Sequence, residues 1–231
     1  MPRPAPGWLD RLPKTRLIAE YSMWSADLIR LADDLTRITR HADILHVDVA
    51  DGHFAPALLF FPDLVARMRA MTDIPIHVHL MVSDAVLLAQ IDQFAEAGAD
   101  LISLHAENAG VADAALGRIA ALGIAAGMVL RVETPVATVA QWIDRLEFLT
   151  LLGTAIGVKG QGLDATAPAR LQEAGRLIAS TGRRIVLAAD GGIRDTTVPL
   201  LRAAGAETVV LGSLAFGAPD LAERMNWLRA L

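Results

Sequence analysis

Residues 43–50, DILHVDVA, form a short apolar run of strand length, and the same kind of run recurs on both sides of it. Upstream lies LIAEYS (17–22). Downstream come IPIHVHLMV (74–82), DLISLHAE (100–107), IAAGMVLRV (124–132), FLTLLGTAI (148–156), RIVLAAD (184–190) and TVVLGSLA (208–215). Helical patterns separate them. DLIRLADDLTRITR (27–40) follows the first run, AVLLAQIDQFAEAGA (85–99) the third, ARLQEAGRLIAST (169–181) the sixth and TVPLLRAAGA (197–206) the seventh. DLAERMNWLRAL (220–231) closes the chain. Gly98, Gly123, Gly182 and Gly205 stand where a helix must end before the next strand, the position that favours glycine.

Eight strand–helix units in 231 residues predict an α/β fold, a (β/α)8 TIM barrel in a single domain. An open doubly wound sheet is the alternative. It is disfavoured because no GxGxxG follows the first strand and the units are near-equal in length. Residues 1–16 (MPRPAPGWLDRLPKTR), with prolines at 2, 4, 6 and 13, read as an irregular lead-in packed through Trp8 and Leu9, and residues 17–231 as the barrel.

Composition narrows the function classes. Hydrophobic residues make up 53% and charged residues 20%, which suits a large core and argues against disorder. Net charge is −5, from 21 basic and 26 acidic residues, with no basic run, so no nucleic-acid partner is expected. With no cysteine, disulfides and thiolate chemistry are excluded. No signal peptide or membrane-spanning stretch is read, and a cytoplasmic location is the expectation.

In this barrel, chemistry gathers at the C-terminal ends of the strands. The second strand ends HVDVADGHF, and period-two geometry puts His46 and Asp48 on one face. The third puts His77 and His79 on one face, and the seventh ends at Asp190. A lone Asp at a strand end often caps a turn, and a lone His on a strand is more often core than ligand. Together, however, His46, Asp48, His79 and Asp190 in a barrel mouth are costly to bury unless they satisfy one another or a cation. Two imidazoles and two carboxylates suit one divalent metal ion: Zn, Fe or Mn.

These stretches resemble the ribulose-phosphate 3-epimerase family over residues 17–217. Family members carry PSxLSAD, HVDVMDGHFVPN, DVHLM, NPGFGGQ, VDGG and GSxxF. This chain has YSMWSAD (21–27), HVDVADGHFAP (46–56), HVHLM (77–81), GVKGQ (157–161), ADGG (189–192) and GSLAF (212–216) in the same order. The resemblance implies an isomerase. His46, Asp48, His79 and Asp190 match its metal ligands, with Asp48 and Asp190 also the catalytic acid/base pair. Ser22 and Met81 match positions near the substrate. Gly157, Gly191, Gly192, Gly212 and Ser213 match the phosphate-binding elements, where glycine turns let backbone N–H groups meet an anion. A small-molecule sugar phosphate is the implied partner, with no membrane partner, and a homo-oligomer is expected.

The implied reaction takes a proton from the carbon beside a ketone and returns one to the opposite face. Such inversion needs two carboxylates on opposite walls, and strands two and seven can provide them. Departures from the family pattern cluster near the substrate. NPGFGGQ becomes Ala155 to Gln161, losing Asn-Pro and gaining Lys159, and the LNP after the fifth strand becomes Leu130-Arg131-Val132. Arg131 and Lys159 are therefore candidates for substrate-specific contacts. The methionine of HVDVMDG is Ala50, and the one opening the sixth-strand motif is Leu152. The acidic residue of DVHLM is His77, a Glu often found two before the VDGG Asp is Ala188, and Tyr21 and Trp24 are additions. His53, His105 and Glu107 also stand at strand ends, His53 as a structural part of DGHF. Two rivals remain. A lyase or decarboxylase of related barrels would show DxKxxD, whereas no lysine follows Asp48 here. A non-catalytic phosphosugar-binding protein would not need four ligand-type side chains.

Overall fold

The computed structural model describes residues 2–231. Its strands are β1 (Ile18–Ser22), β2 (Ile44–Ala50), β3 (Ile76–Met81), β4 (Leu101–His105), β5 (Ala125–Leu130), β6 (Phe148–Leu152), β7 (Val186–Asp190) and β8 (Thr208–Leu211). They pair in parallel and in chain order, and β8 returns to β1, so the barrel is closed. The (β/α)8 architecture read from the sequence is the one observed.

The helices are α1 (Leu31–Ile38), α2 (Pro62–Met71), α3 (Asp84–Ala97), α4 (Ala112–Ala121), α5 (Ala167–Thr181), α6 (Val198–Ala203), α7 (Ser213–Phe216) and α8 (Leu221–Arg229). Two details differ from expectation. The crossover after β5 has no α-helix; two 3-10 turns, Val136–Gln141 and Ile143–Arg145, stand in its place. Pro135 precedes a stretch with β-branched Val136, Thr138 and Val139, which lose rotamer freedom in a helix. The run 208–215 is also not all strand. β8 stops at Leu211, and Gly212 turns the chain into α7.

Besides a small one around Ala50, Ala55 and Met81, two apolar clusters form. One fills the layer between sheet and helices, where Tyr21, Leu45, Val47, Val78, Leu80, Ile102 and Leu187 are buried. The other plugs the N-terminal end of the barrel interior with Ile18, Ile44, Leu101, Phe148 and Val186, against which Leu12, Trp8 and Leu9 pack from the lead-in. Strand residues thus alternate between the two clusters, the period-two pattern of a barrel wall. Below the plug, the fully buried Arg69 reaches Asp100 at 2.7 Å and the carbonyl of Ile74 at 2.9 Å. Gly98 ends α3 with φ 108° in contact with Arg69, where a Cβ would lie 2.5 Å from Cγ. A larger residue there would meet both backbone strain and a clash.

Candidate active site and metal centre

The face that carries the plug turns polar further along the same strands. β1 brings in Glu20 and Ser22, β2 brings His46 and Asp48, and β3 brings His77 and His79. β4 adds Ser103 and His105, and β7 adds Asp190 at its tip. Register explains the convergence: Asp48 pairs with His79 and His46 with His77 across β2–β3, so both pairs sit at matching depth.

One ligand atom from each of His46, Asp48, His79 and Asp190 lies within 4.8 Å of all the others, a group that could hold a metal ion. His46 Nε2 is 3.2 Å from Asp48 Oδ1 and 3.4 Å from His79 Nδ1, and His79 Nδ1 is 3.3 Å from the same Asp48 oxygen. Asp190 Oδ2 completes the group at 4.0 Å from His46 and 3.9 Å from His79. Two ring nitrogens and two carboxylates facing one another suit a divalent cation.

The outer nitrogens of both histidines are tied. Glu20 Oε1 lies 2.7 Å from His46 Nδ1 and 2.5 Å from His77 Nδ1, and His77 Nε2 is 2.6 Å from Ser103 Oγ. His79 Nε2 lies 2.8 Å from His105 Nε2, and His105 Nδ1 is 3.0 Å from Glu107 Oε2. Glu107 in turn accepts from the Thr134 hydroxyl and, at 3.2 Å, from the Arg131 backbone N–H. Imidazoles held in this way present their inner nitrogens to the centre.

The carboxylates differ in proton affinity. Burial pushes Asp48 up, but the charges and hydrogen bonds of His46 and His79 outweigh it and hold Asp48 far below the usual carboxylate range. Asp190 moves the other way, to about 6, chiefly through burial, with His46 opposing and the Asp48 charge adding to the rise. His46 is raised well above the ordinary imidazole value: burial opposes this, and Asp48 and Glu20 overcome it. Burial lowers His77 and His105 to about 4, so both rest neutral near pH 7.

A cavity of about 330 Å³ opens over this centre. Ser22, Asp48, His79, Met81, Asp190, Gly157, Gly191, Gly192, Gly212 and Ser213 all line it, as does Lys159. Ser22 Oγ donates to Asp48 Oδ2 at 3.0 Å. Gly191 has φ 87°, and a Cβ there would fall 2.3 Å from Thr154 Oγ1. Lys159 Nζ donates to the Trp24 carbonyl at 2.6 Å and sits 4.5 Å from the Trp24 ring centre. Burial lowers the Lys159 pKa, with Asp48 opposing. Arg131 does not line the cavity. Its guanidinium lies over the Phe54 ring at 4.2 Å and donates to the Phe54 carbonyl at 3.0 Å. His46 lies behind the cavity wall, fully buried, and His53 is exposed in its loop. Sequence reasoning missed Glu20, Ser103 and Thr154. Only Glu20 carried a signal, a charge within the strand run LIAEYS.

Comparison with known proteins decides the family, because the ribulose-phosphate 3 epimerase family profile matches residues 18–216. The chain belongs to the ribulose-phosphate 3-epimerase family. The ribulose-phosphate 3-epimerase of Bacillus subtilis is 33% identical over 210 residues, covering 90% of this chain and 96% of that protein. Ribulose-phosphate 3-epimerase 2 of Cupriavidus necator is 38% identical over 205 residues, covering 86% and 84%. The Escherichia coli strain K12 enzyme of this family is 33% identical over 219 residues, covering 94% and 96%. Members of the family are isomerases of the epimerase class, and this chain is one of them. Solved structures of a 3-hexulose-6-phosphate synthase (18% identity, TM-score 0.65, 93% of this chain and 99% of that one) and of the orotidine 5'-phosphate decarboxylase of Pyrococcus horikoshii OT3 (14%, 0.65, 92% and 97%) share the fold. No helix among the described residues is long and apolar enough to cross a membrane.

Proposed function

We propose that this chain is a metal-dependent epimerase that inverts the carbinol centre next to the ketone of a small ketose phosphate. D-ribulose 5-phosphate and D-xylulose 5-phosphate, or a related pair, are the proposed substrates. The observation that carries this is the meeting of Asp48 and Asp190, from β2 and β7, with His79 at the wall of one cavity and His46 just behind it. A volume of about 330 Å³ stands at the small end of ligand pockets and suits a compact phosphosugar.

The donor set fits one Zn, Fe or Mn ion held by His46, Asp48, His79 and Asp190. When bound, such an ion supplies positive charge that offsets the charge of an enediolate. Asp48 is held ionised by His46 and His79, so it carries no proton and is the group free to accept one. Asp190, pushed up to about 6, is suited to give one. Reversing the reaction exchanges their roles. Ser22 orients Asp48 through its hydrogen bond, and Met81 closes the apolar side with Ala50, Ala55 and Ile156. The glycine turns at 157, 191–192 and 212, with Ser213, are the proposed phosphate seat, since such turns allow close approach of backbone N–H groups. Lys159 is the proposed substrate-specific contact; Arg131, away from the cavity, steadies Phe54 and Glu107 instead.

The test is to incubate metal-loaded protein with a panel of ketose phosphates in D2O. Deuterium entering the carbinol carbon with inversion is the expected result. Absence of exchange into every ketose phosphate, with metal bound, would sink the proposal.

A further inference from the structure

The departure at His77 has a partner two strands away, on β1. Where the family pattern DVHLM opens on an acid, this chain has an imidazole, and a carboxylate stands instead at Glu20 on β1. Glu20, His46, His77, Ser103 and Thr208 are all buried, at 0% exposure. A charge so placed costs stability unless hydrogen bonds offset it. Here both carboxylate oxygens stand within reach of donors. Glu20 Oε1 accepts from His46 Nδ1 and His77 Nδ1, and the Thr208 hydroxyl stands 3.3 Å from Oε2. With its Nδ1 proton on Glu20, neutral His77 offers Nε2 to the Ser103 hydroxyl. Gly127 gives Ser103 its room, since a Cβ there would fall 2.0 Å from Ser103 Oγ.

The geometry points to Glu20 as the positioning residue of the metal centre: its carboxylate, held by the His77–Ser103 pair, fixes His46 in the tautomer that turns Nε2 toward Asp48, His79 and Asp190. The inference rests on the metal reading above. Three facts favour it over a purely structural ion pair. The network sits one inward layer above a plug of Ile18, Ile44, Leu101 and Phe148, where apolar side chains pack readily. Its two contacts to Glu20 Oε1 have hydrogen-bond lengths, which leaves no place for a second cation between the groups although Glu20, His46 and His77 form a ligand-like trio. Its only contact with the cavity runs through His46, whose Nε2 is 3.2 Å from Asp48.

Position 77 faces His46 across the β2–β3 register, so an acid placed there can take over the task. The experiment uses the full chain and four proteins: wild type, Glu20→Gln, Glu20→Ala, and the double variant Glu20→Ala with His77→Asp. Zn²⁺ and Mn²⁺ affinity and stoichiometry are measured by calorimetry, and the His46 tautomer by ¹⁵N NMR of the ring. Wild type should bind one ion and, once loaded, carry a single His46 proton, on Nδ1. Glu20→Ala should bind about 10- to 100-fold more weakly and lose that tautomer. Glu20→Gln, which keeps an acceptor oxygen, should lose less. The double variant should recover most of the loss, which a merely structural role does not predict. If Glu20→Ala fails to fold, Glu20→Gln, the double variant and the wild-type tautomer still decide. Wild-type protein that binds neither ion refutes the metal reading itself. Wild-type binding combined with unchanged affinity and tautomer in the Glu20 variants refutes only the positioning role. Two ions per chain, falling to one in Glu20→Ala, would also overturn it, in favour of a second metal site.

Discussion

Ile18, Ile44, Leu101 and Phe148 face into one end of the barrel; two residues further along the same strands the inward positions are Glu20, His46, Ser103 and Thr150. The strands, their pairing and their burial do not change between these layers. Only the chemistry does. The lower layer closes the barrel with apolar packing, and the lead-in adds Leu12 beneath it. The upper layers carry buried polar groups, with Glu20, His46 and Ser103 hydrogen-bonded and the Thr150 hydroxyl unpartnered, and they lead to the open cavity. A TIM barrel separates stability from catalysis along its axis in this way, and the separation can be tested from both ends.

The largest effect is expected at the mouth. Asp48→Asn and Asp190→Asn should each slow epimerisation by about 10²- to 10⁴-fold while leaving the urea midpoint close to wild type. Metal content must be measured for each, since both carboxylates belong to the cluster. A variant retaining one carboxylate should still wash deuterium into one epimer without inverting it. Near wild-type inversion by either variant, with metal retained, would end the two-carboxylate assignment. The bottom should behave in the opposite way. Leu101→Ala empties part of the plug and should cost about 2–5 kcal/mol of stability, read by urea unfolding. Turnover per folded molecule should hold, and a hundredfold loss of turnover there would break the separation.

How much of this was legible in the sequence follows the same axis. The eight strands could be read because each is a compact apolar run, four of them opened by a turn glycine at 98, 123, 182 or 205. Their ends were less clear: 148–156 reads as one run, yet β6 stops at Leu152. Gly153 stands so close to the neighbouring loop that a Cβ would lie 2.8 Å from the Gly191 carbonyl, a constraint no local pattern shows. His46, Asp48 and His79 were legible from period two. Glu20 was not, because nothing in its local pattern shows that its side chain meets His46 and His77, which lie 26 and 57 residues away in sequence. Arg131 is a substrate candidate in the sequence because it replaces part of the family's LNP after the fifth strand. Phe54, 77 residues away in sequence, takes its guanidinium instead.

A smaller effect sharpens the comparison within the mouth. Glu107 acts on the centre through His105, one imidazole further out than Glu20 acts on His46. Glu107→Gln keeps the shape but weakens the hold on His105 Nδ1. It should reduce metal affinity by less than about 10-fold, below the loss expected from removing a direct partner. Calorimetry of the variant beside wild type measures the difference. A loss above a hundredfold would place Glu107 inside the cluster.

The smallest effect concerns a mouth residue that serves structure alone. Asp51 accepts the backbone N–H groups of His53 at 2.9 Å and Phe54 at 2.8 Å, and that of Ser83 at 2.8 Å, so it ties the loop after β2 to the end of β3. Burial pushes its carboxyl up, but these donors prevail and lower its pKa to about 2 from 3.8. Because the folded value is the lower one, the stabilisation is present above about pH 4 and fades as pH falls toward 2. Asp51→Ala should therefore cost about 1 kcal/mol at pH 7, a modest figure because solvent screens this loop. The gap from wild type should narrow at pH 3, and Asp51→Asn, which retains an acceptor oxygen, should lie between the two. Urea titrations at both pH values read the gap. If it stayed constant with pH, the ionised carboxylate would not be what holds the loop; if Asp51→Ala lost turnover as Asp48→Asn is expected to, the mouth would contain a further functional carboxylate.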